Sequence, residues 1–224
     1  MTELERKLHY EFKDKSLLDN ALTHSSFANE RGLGASASNE RLEFLGDSVL
    51  GFAAARYLYA MEPTMPEGKM TRLRAELVCE QSLYGVACDL DLGEYLSMGR
   101  GEERTGGRKR SSILADAVEA VIAAMYLDGG FSAASAFISE NILNPESIAA
   151  HRSADYKTEL QELVQRRPGQ QISYIPAGEK GPDHAKVFTV RVCINGAAVG
   201  EGSGRTKKEA EQEAARAALG ELAK

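Results

Sequence analysis

Apolar and polar positions recur with the 3.6-residue period of helices through the first 144 residues, and short turns marked by glycine or proline separate the segments. The pattern predicts helices over residues 2–8, 16–23, 39–60, 67–78, 80–88, 111–127 and 131–143. Strict alternation of apolar and polar residues, which indicates strands, is absent from this part of the sequence. We therefore expect an all-α domain over residues 1–150.

The pattern changes after residues 145–153, a stretch that contains a proline and several small residues and marks a domain boundary. Beyond it the sequence predicts a helix over residues 155–165, strands over 171–175, 185–193 and 197–203, and an alanine-rich helix over 207–219. The Asn195-Gly196 pair between two apolar runs is a strong signal for a tight hairpin. A second, small α-β-β-β-α domain is expected over residues 155–224.

Two of the most apolar predicted helices carry carboxylates. Glu40, Glu43 and Asp47 recur at i, i+3 and i+7 on one helix, and Asp116 and Glu119 recur at i and i+3 on another. An acidic stripe is most often a solvated face, but these helices are apolar on almost every side, which favours burial. Buried carboxylates need a proton, a base or a cation. Oxygen ligands without histidine or cysteine suit Mg²⁺ or Mn²⁺ rather than Zn²⁺.

The composition of the sequence indicates where the protein is located and which kinds of partner it lacks. No apolar run in the sequence approaches the roughly 20 residues of a membrane-spanning helix, and the first residues lack the apolar core of a signal peptide. A cytoplasmic protein without a membrane partner is expected. The three cysteines are widely spaced and predict neither disulfides nor a zinc site.

The net charge of −6 is divided unevenly along the chain. Residues 151–224 contain 12 basic and 10 acidic side chains, whereas residues 1–150 contain 15 and 23. The overall acidity therefore does not exclude a nucleic-acid partner. Residues 99–110 are rich in glycine and end with three basic residues; this predicted loop is either a flexible surface or a phosphate contact. No GxxxxGK[ST] motif is present, so no nucleotide cofactor is expected.

The segment NERLEFLGDSVL at residues 39–50 resembles the signature of the ribonuclease III nuclease domain. The segments ALTHSS, PEGKMTRLRAELV and ILADAVEAVIAAMYLDGG extend the similarity over almost all of residues 1–150. The resemblance implies an endonuclease that cuts both strands of double-stranded RNA and leaves 5′-phosphate and 3′-hydroxyl ends. Processing of ribosomal and messenger RNA is the expected setting.

Carried over by motif position, the resemblance implies four metal-binding acids: Glu43, Asp47, Asp116 and Glu119. Asp47 and Glu119 are expected to matter most for catalysis. Glu40 and Glu67 also match acids of the family, and they are expected to support the site from its rim or across a subunit boundary. For Glu67, which begins a helix after a proline, interaction with the helix dipole is an equally good explanation.

The expected cofactor is Mg²⁺, with Mn²⁺ as a substitute. A cation held by the four acids would lower the pKa of a bound water, which would attack the phosphorus in line with the leaving 3′ oxygen. One acid cluster serves one strand, so cutting both strands is most simply achieved by a two-fold dimer, and the resemblance implies a homodimer along the signature helix. Phe44, beside the acids, suits either that interface or the core.

The C-terminal unit resembles a double-stranded-RNA-binding domain over its whole length. The residues expected to contact RNA are Thr158, Gln161, Glu162 and Gln165 on the first helix, His184 in the loop GPDHAKVF, and Lys207 and Lys208 at the start of the second helix. The first set suits 2′-hydroxyls and base edges of the minor groove, and the lysines suit phosphate, although a pair of lysines alone usually marks a solvated helix start. Many members of the family have a lysine where this chain has Glu211, so one phosphate contact is expected to be missing.

Two other functions compete with this interpretation. A non-catalytic protein that binds double-stranded RNA would not need the four acids, all of which are present. A metal-dependent hydrolase of small phosphate esters, recruited to RNA by the second domain, is the other alternative.

Overall fold

The computed structural model describes residues 1–144, 156–167, 169–182 and 186–222. The chain separates into two units, Met1–Ala149 and Ala150–Lys224, and each has its own apolar core. The boundary predicted at residues 145–153 falls entirely outside the described ranges. The division into domains at 1–150 and 155–224 therefore stays a prediction.

The described residues of the first unit form helices joined by turns. One isolated β-bridge, between Thr23 and Ser97, is present among them. The helices are α1 (Glu3–Lys7), α2 (Lys15–Ala21), α3 (Ser25–Arg31), α4 (Glu40–Met61), α5 (Glu67–Leu77), α6 (Glu80–Asp89), α7 (Leu92–Tyr95), α8 (Arg100–Arg104) and α9 (Ser111–Asn141), with short 3₁₀ turns at Ala35–Ala37 and Gly107–Lys109. The prediction of an all-α domain is confirmed.

Helices α4 and α9, which carry the predicted acids, pack along each other at the centre of this unit. α9 is deeply buried, and Ala117, Val118 and Ile122 have no solvent exposure. Gly46 of α4 permits the close approach, because a Cβ atom there would lie 1.9 Å from the carbonyl oxygen of Glu119. A glycine within the acid-bearing segment therefore sets the distance between the two rows of acids.

By length and composition alone, α9 could cross a membrane. Its burial within the unit identifies it as a core helix, a class that meets the same criteria. Gly130, with φ of 75°, interrupts the helical conformation, so the run consists of two segments, as the separate predictions for residues 111–127 and 131–143 require. Just before the break, the Asp128 carboxylate accepts hydrogen bonds from the Tyr10 hydroxyl and the main-chain N–H groups of Lys13 and Asp14.

Three short helices, α3, α7 and α8, were not predicted from the sequence. The main-chain N–H of Ser26 donates to Nδ1 of His24, which caps the start of α3. α8 lies inside the segment 99–110, so the prediction of a loop there was wrong for residues 100–104. Glu102 and Glu103 in its first turn favour the helix, because they face its positive end.

The second unit has the predicted α-β-β-β-α order. Its elements are α10 (Tyr156–Gln165), β1 (Ile172–Lys180), β2 (Val187–Ile194), β3 (Ala197–Gly204) and α11 (Lys207–Leu222). The strands form an antiparallel sheet in the order β1-β2-β3. Asn195 and Gly196 have φ of 51° and 83° and make the tight turn between β2 and β3, as predicted. β1 is longer than predicted, because pairing continues past a bulge between Pro176 and Gly178.

Both helices of this unit contribute to one buried core with the sheet. Leu160 and Val164 of α10, Val192 of β2, and Ala214 and Ala218 of α11 pack together there. The exposed side chains of α10 lie outside this apolar stripe, and the first turn of α11 is exposed as well.

Candidate metal centre and RNA-binding surface

Three of the predicted acids converge between α4 and α9. Carboxylate oxygens of Glu43, Asp116 and Glu119 lie within 4.8 Å of one another, and each side chain is partly buried. The convergence follows from the packing at Gly46, since that contact fixes the backbone of Glu119 against α4. The resulting set of ligands consists of oxygen atoms alone.

The three carboxylates repel one another in a partly desolvated setting. Burial, followed by the negative charges of Asp47, Asp116 and Glu43, raises the pKa of Glu119 to about 8. Burial also raises the pKa of Glu43 and, together with the charge of Glu80, the pKa of Asp116. This excess of negative charge calls for a proton or a cation, and oxygen-only ligands fit a hard divalent cation such as Mg²⁺ or Mn²⁺.

Asp47 and Glu40 lie beside this group without belonging to it. Asp47 is exposed one helical turn after Glu43, yet its charge is the largest electrostatic contribution to the raised pKa of Glu119. Glu40 is also exposed, its Oε2 accepts a hydrogen bond from the Ser38 hydroxyl at 3.0 Å, and its charge contributes to the raised pKa of Glu43. Both acids are therefore exposed, yet close enough to the converging group to raise the pKa of its members.

Glu67 has different surroundings from the other predicted acids. It is the first residue of α5, and its Oε1 accepts a hydrogen bond from the Thr71 hydroxyl at 2.8 Å. Its side chain lines a cavity of about 250 Å³ with Tyr59 and Arg74. This position agrees with the helix-dipole explanation of Glu67 and does not bring it into the group of Glu43.

Two neighbours of the acids were missed by the sequence analysis. Glu80 at the start of α6 accepts a hydrogen bond from the Ser111 hydroxyl, and its charge raises the pKa of Asp116. His24 lowers the pKa of Asp116, and its Nδ1 lies 2.7 Å from the Ser26 hydroxyl. The motif ALTHSS marked His24, but no spacing in the sequence connects it to Asp116.

The arginines that end the segment 99–110 are engaged within the protein. Arg108 donates from Nε to Glu103 at 2.7 Å and from Nη1 to the carbonyl oxygens of Gly93 and Leu96 at 2.9 and 2.7 Å. Arg110 forms an ion pair with Glu102. These contacts favour a structural role for the two arginines over phosphate binding.

The residues predicted to contact RNA occupy the solvent side of two helices in the second unit. Gln161, Glu162 and Gln165 are exposed on α10, and Thr158 is partly exposed; Lys207 and Lys208 are exposed in the first turn of α11. His184 lies outside the described residues. The helix faces thus agree with the predicted polar pattern, while contact with RNA stays a prediction.

Two lysine side chains lie near the same aromatic ring at the start of β2. The ammonium groups of Lys186 and Lys207 lie 6.0 and 5.9 Å from the ring centroid of Phe188. Lys186 also forms an ion pair with Glu179 at 3.2 Å. Lys186 was not predicted as a site residue, although it follows His184 closely in the loop GPDHAKVF.

A stripe of aromatic side chains is exposed on α4 next to the acids. Phe44 and Tyr59 are 78% and 76% exposed, and Phe52 lies between them on the same side of the helix. Of the two alternatives for Phe44, a position in the core of the protomer is therefore wrong. Large exposed apolar patches commonly mark interaction sites.

Comparison with protein-family models gives two matches. A model described as "Ribonuclease-III-like" matches residues 14–146, and the double-stranded RNA binding motif matches residues 156–222. Together they span nearly the whole chain.

Similar proteins cover the chain almost end to end. It is 51% identical over 221 residues to a ribonuclease 3 of Pelotomaculum thermopropionicum, covering 98% of this chain and 92% of that protein. It is 50% identical over 224 residues to a ribonuclease 3 of Caldanaerobacter subterraneus, covering 99% of this chain and 98% of that protein.

Among solved structures, the nuclease domain of a Campylobacter jejuni ribonuclease III superposes with a TM-score of 0.57 at 44% identity, covering 63% of this chain and 97% of that domain. That structure is described as showing flexibility in a region involved in dimer formation.

Proposed function

The chain belongs to the ribonuclease III family, and we propose that Glu43, Asp47, Asp116 and Glu119 form its metal-dependent catalytic centre. It is an endoribonuclease specific for double-stranded RNA, with a nuclease domain and an RNA-binding domain in one chain. The observation that carries the site assignment is the convergence of three carboxylates within 4.8 Å.

The acids support this assignment through their electrostatics. Glu43, Asp116 and Glu119 would hold the cation, and Asp47 would contribute from the exposed side. With a pKa of about 8, Glu119 carries a proton at neutral pH and releases it when a cation takes its place. When bound, Mg²⁺ or Mn²⁺ supplies a water of lowered pKa and stabilises negative charge on the phosphate. Hydrolysis with departure of the 3′ oxygen gives 5′-phosphate and 3′-hydroxyl ends.

We propose a homodimer whose interface includes the aromatic stripe of α4. Phe44 and Tyr59 are exposed in the protomer, and Phe44 directly follows Glu43 on the helix, so a two-fold contact along this stripe would bring two acid clusters near one duplex. The dimer-forming region of the Campylobacter jejuni nuclease domain supports this arrangement by analogy. In this assembly Glu40 and Glu67 would support the site from its rim or from the neighbouring subunit.

We propose that the second domain recognises RNA through the faces of its two helices. The polar face of α10, with Gln161 and Gln165, would lie over the minor groove, whereas Lys207 and Lys208 would neutralise phosphates. His184 would reach the minor groove from its loop. We propose precursors of ribosomal and messenger RNA as the substrates, and the cytoplasm as the compartment in which they are cut.

Substitution of Glu119 by glutamine tests the site. The variant keeps the size of the side chain but loses its charge, so cleavage of a long RNA duplex in Mg²⁺ should fall at least roughly a hundredfold. Binding of the same duplex in a gel-shift assay should persist, because the second domain is intact. EDTA should stop cleavage by the unmodified protein.

The matched control is Glu94→Gln, at an exposed position of α7 outside the acid group. It should cut RNA normally. Cleavage that survives both Glu119→Gln and EDTA would refute the metal site, whereas a protein that binds RNA but never cuts it would favour the non-catalytic alternative.

A further inference from the structure

An ion pair connects the two helices whose faces we assign to RNA. Nζ of Lys157 on α10 lies 2.6 Å from Oε2 of Glu211 on α11. The ammonium group also lies 4.5 Å from the ring centroid of Tyr174. The two side chains are 36% and 29% exposed, so the pair is at the surface of the domain.

Both members of the pair lie next to residues that we assign to RNA binding. Lys157 precedes Gln161 by four residues, which places both on one side of α10. Glu211 follows Lys207 by four residues on α11, and their side chains line the same cavity of about 380 Å³. The carboxylate of Glu211 thus stands where a duplex approaching Lys207 would meet it.

We infer that Lys157 is a latent phosphate ligand which Glu211 withholds from RNA, so that this pair limits the affinity of the domain for double-stranded RNA. The inference rests on the proposed RNA-binding faces. An ammonium group already neutralised by a carboxylate releases no counterion when a duplex binds, and Glu211 itself repels phosphate. Without the charge of Glu211, Lys157 would keep its place over Tyr174 and face the duplex as a full cation.

The test is Glu211→Gln in the full chain, with duplex binding measured in EDTA across a range of salt concentrations. Because an exposed ion pair is weak, we expect the dissociation constant to fall by roughly fivefold. One additional phosphate contact should make the slope of log affinity against log salt steeper by about one. Thermal melting checks that the variant is folded, and Glu211→Ala provides a second variant with the same expectation.

Two comparisons separate this mechanism from general charge effects. In the double variant Lys157→Gln with Glu211→Gln, the salt slope should return to that of the unmodified protein and most of the gain in affinity should be lost, because the freed cation is gone. Glu201→Gln is the matched control, since it breaks a similar exposed pair with Arg191 at 2.7 Å on the strands instead of the helices. It should leave the salt slope unchanged.

The inference is overturned if Glu211→Gln leaves the slope unchanged, or if the double variant keeps the whole gain in affinity. The latter result would mean that Glu211 acts only by repulsion. Changing Lys207 and Lys208 together to alanine tests the proposed binding face separately. If that variant binds as tightly as the unmodified protein, the proposed docking of α11 fails; if it binds weakly while Glu211→Gln has no effect, only the present inference fails.

Discussion

The raised pKa of Glu119 means that the acid cluster opposes folding at alkaline pH when no cation is bound. In an unfolded chain this carboxyl would titrate near its ordinary value of 4.5, whereas in the folded protein its pKa is about 8. The folded state therefore holds more protons than the unfolded chain between these values, so stability falls progressively as the pH rises from about 4.5 to about 8 and levels off above it. The residue that we propose to be essential for catalysis is then one that destabilises the folded protein when no metal is bound.

Glu119→Gln should consequently stabilise the protein in EDTA while it abolishes cleavage. The gain should be small near pH 5 and should grow to about 2 kcal/mol above pH 8, a value discounted because solvent reaches part of the site. For a protein of this size, that corresponds to a rise of roughly 4–8 °C in melting temperature. Thermal melts of both proteins across this pH range provide the measurement.

Mg²⁺ should reverse the order of stability, because the proposed site would bind it in the folded unmodified protein and only weakly in the variant, which lacks one ligand. Glu94→Gln, at an exposed position, is the control. Its melting temperature should differ from that of the unmodified protein by the same amount at every pH, with or without Mg²⁺. A variant that melts below the unmodified protein at pH 8.5 in EDTA would contradict the electrostatic account of the cluster.

The sequence identified the acids because their spacing and apolar surroundings are local properties. It did not connect His24 or Glu80 to Asp116, since these residues approach only after α3, α6 and α9 have packed. It also grouped Asp47 with the other acids, whereas the protomer leaves Asp47 exposed at the border of the group. Side chains brought together by tertiary contacts leave no periodic signal in the sequence.

Among the elements, the contact between α4 and α9 is the most sensitive to a small change. Gly46→Ala would place a Cβ atom 1.9 Å from the carbonyl oxygen of Glu119 and 2.4 Å from its carbonyl carbon. Since neither backbone atom can turn aside, the helices must separate, which should cost about 3 kcal/mol. Chemical denaturation measures that loss, and cleavage should fall with it because Glu43 moves away from Glu119.

Gly85→Ala on α6 is the control for this substitution. A Cβ atom there meets nothing within 4 Å, and alanine is the better helix former, so stability should rise by roughly 0.5–1 kcal/mol. If both substitutions changed stability equally, helix propensity rather than close packing would explain the glycine in the signature segment.

Long elements with a full apolar stripe were predicted with ends close to those observed, as for α4 and α5. Helices of four to seven residues show few repeats of the period; α3, α7 and α8 were missed, although α1 and α2, which are equally short, were predicted. They are stabilised by their surroundings instead; for example, Arg108 binds the carbonyl oxygens of Gly93 and Leu96 next to α7.

For the molecule as a whole, the decisive question is whether two acid clusters act together. Each chain contributes one converging group of carboxylates among its described residues, while a duplex has two strands to cut. The aromatic stripe of α4 offers a surface for a second copy, since a protomer gains nothing by leaving Phe44 in water. A dimer formed through this stripe would cover the exposed aromatic side chains and would also supply two carboxylate groups for the two strands.

Phe44→Ala is expected to weaken the dimer without weakening the protomer. The side chain is 78% exposed in the protomer, so its loss removes little from the core, but two-fold symmetry would count the lost contact twice. At about 2 kcal/mol for each copy, the dimer dissociation constant should rise roughly a thousandfold. Light scattering over a concentration series measures this, with Leu222→Ala, an exposed position of the second unit, as the control. An unmodified protein that stays monomeric at micromolar concentration while cutting both strands would show that the two cuts do not require paired clusters.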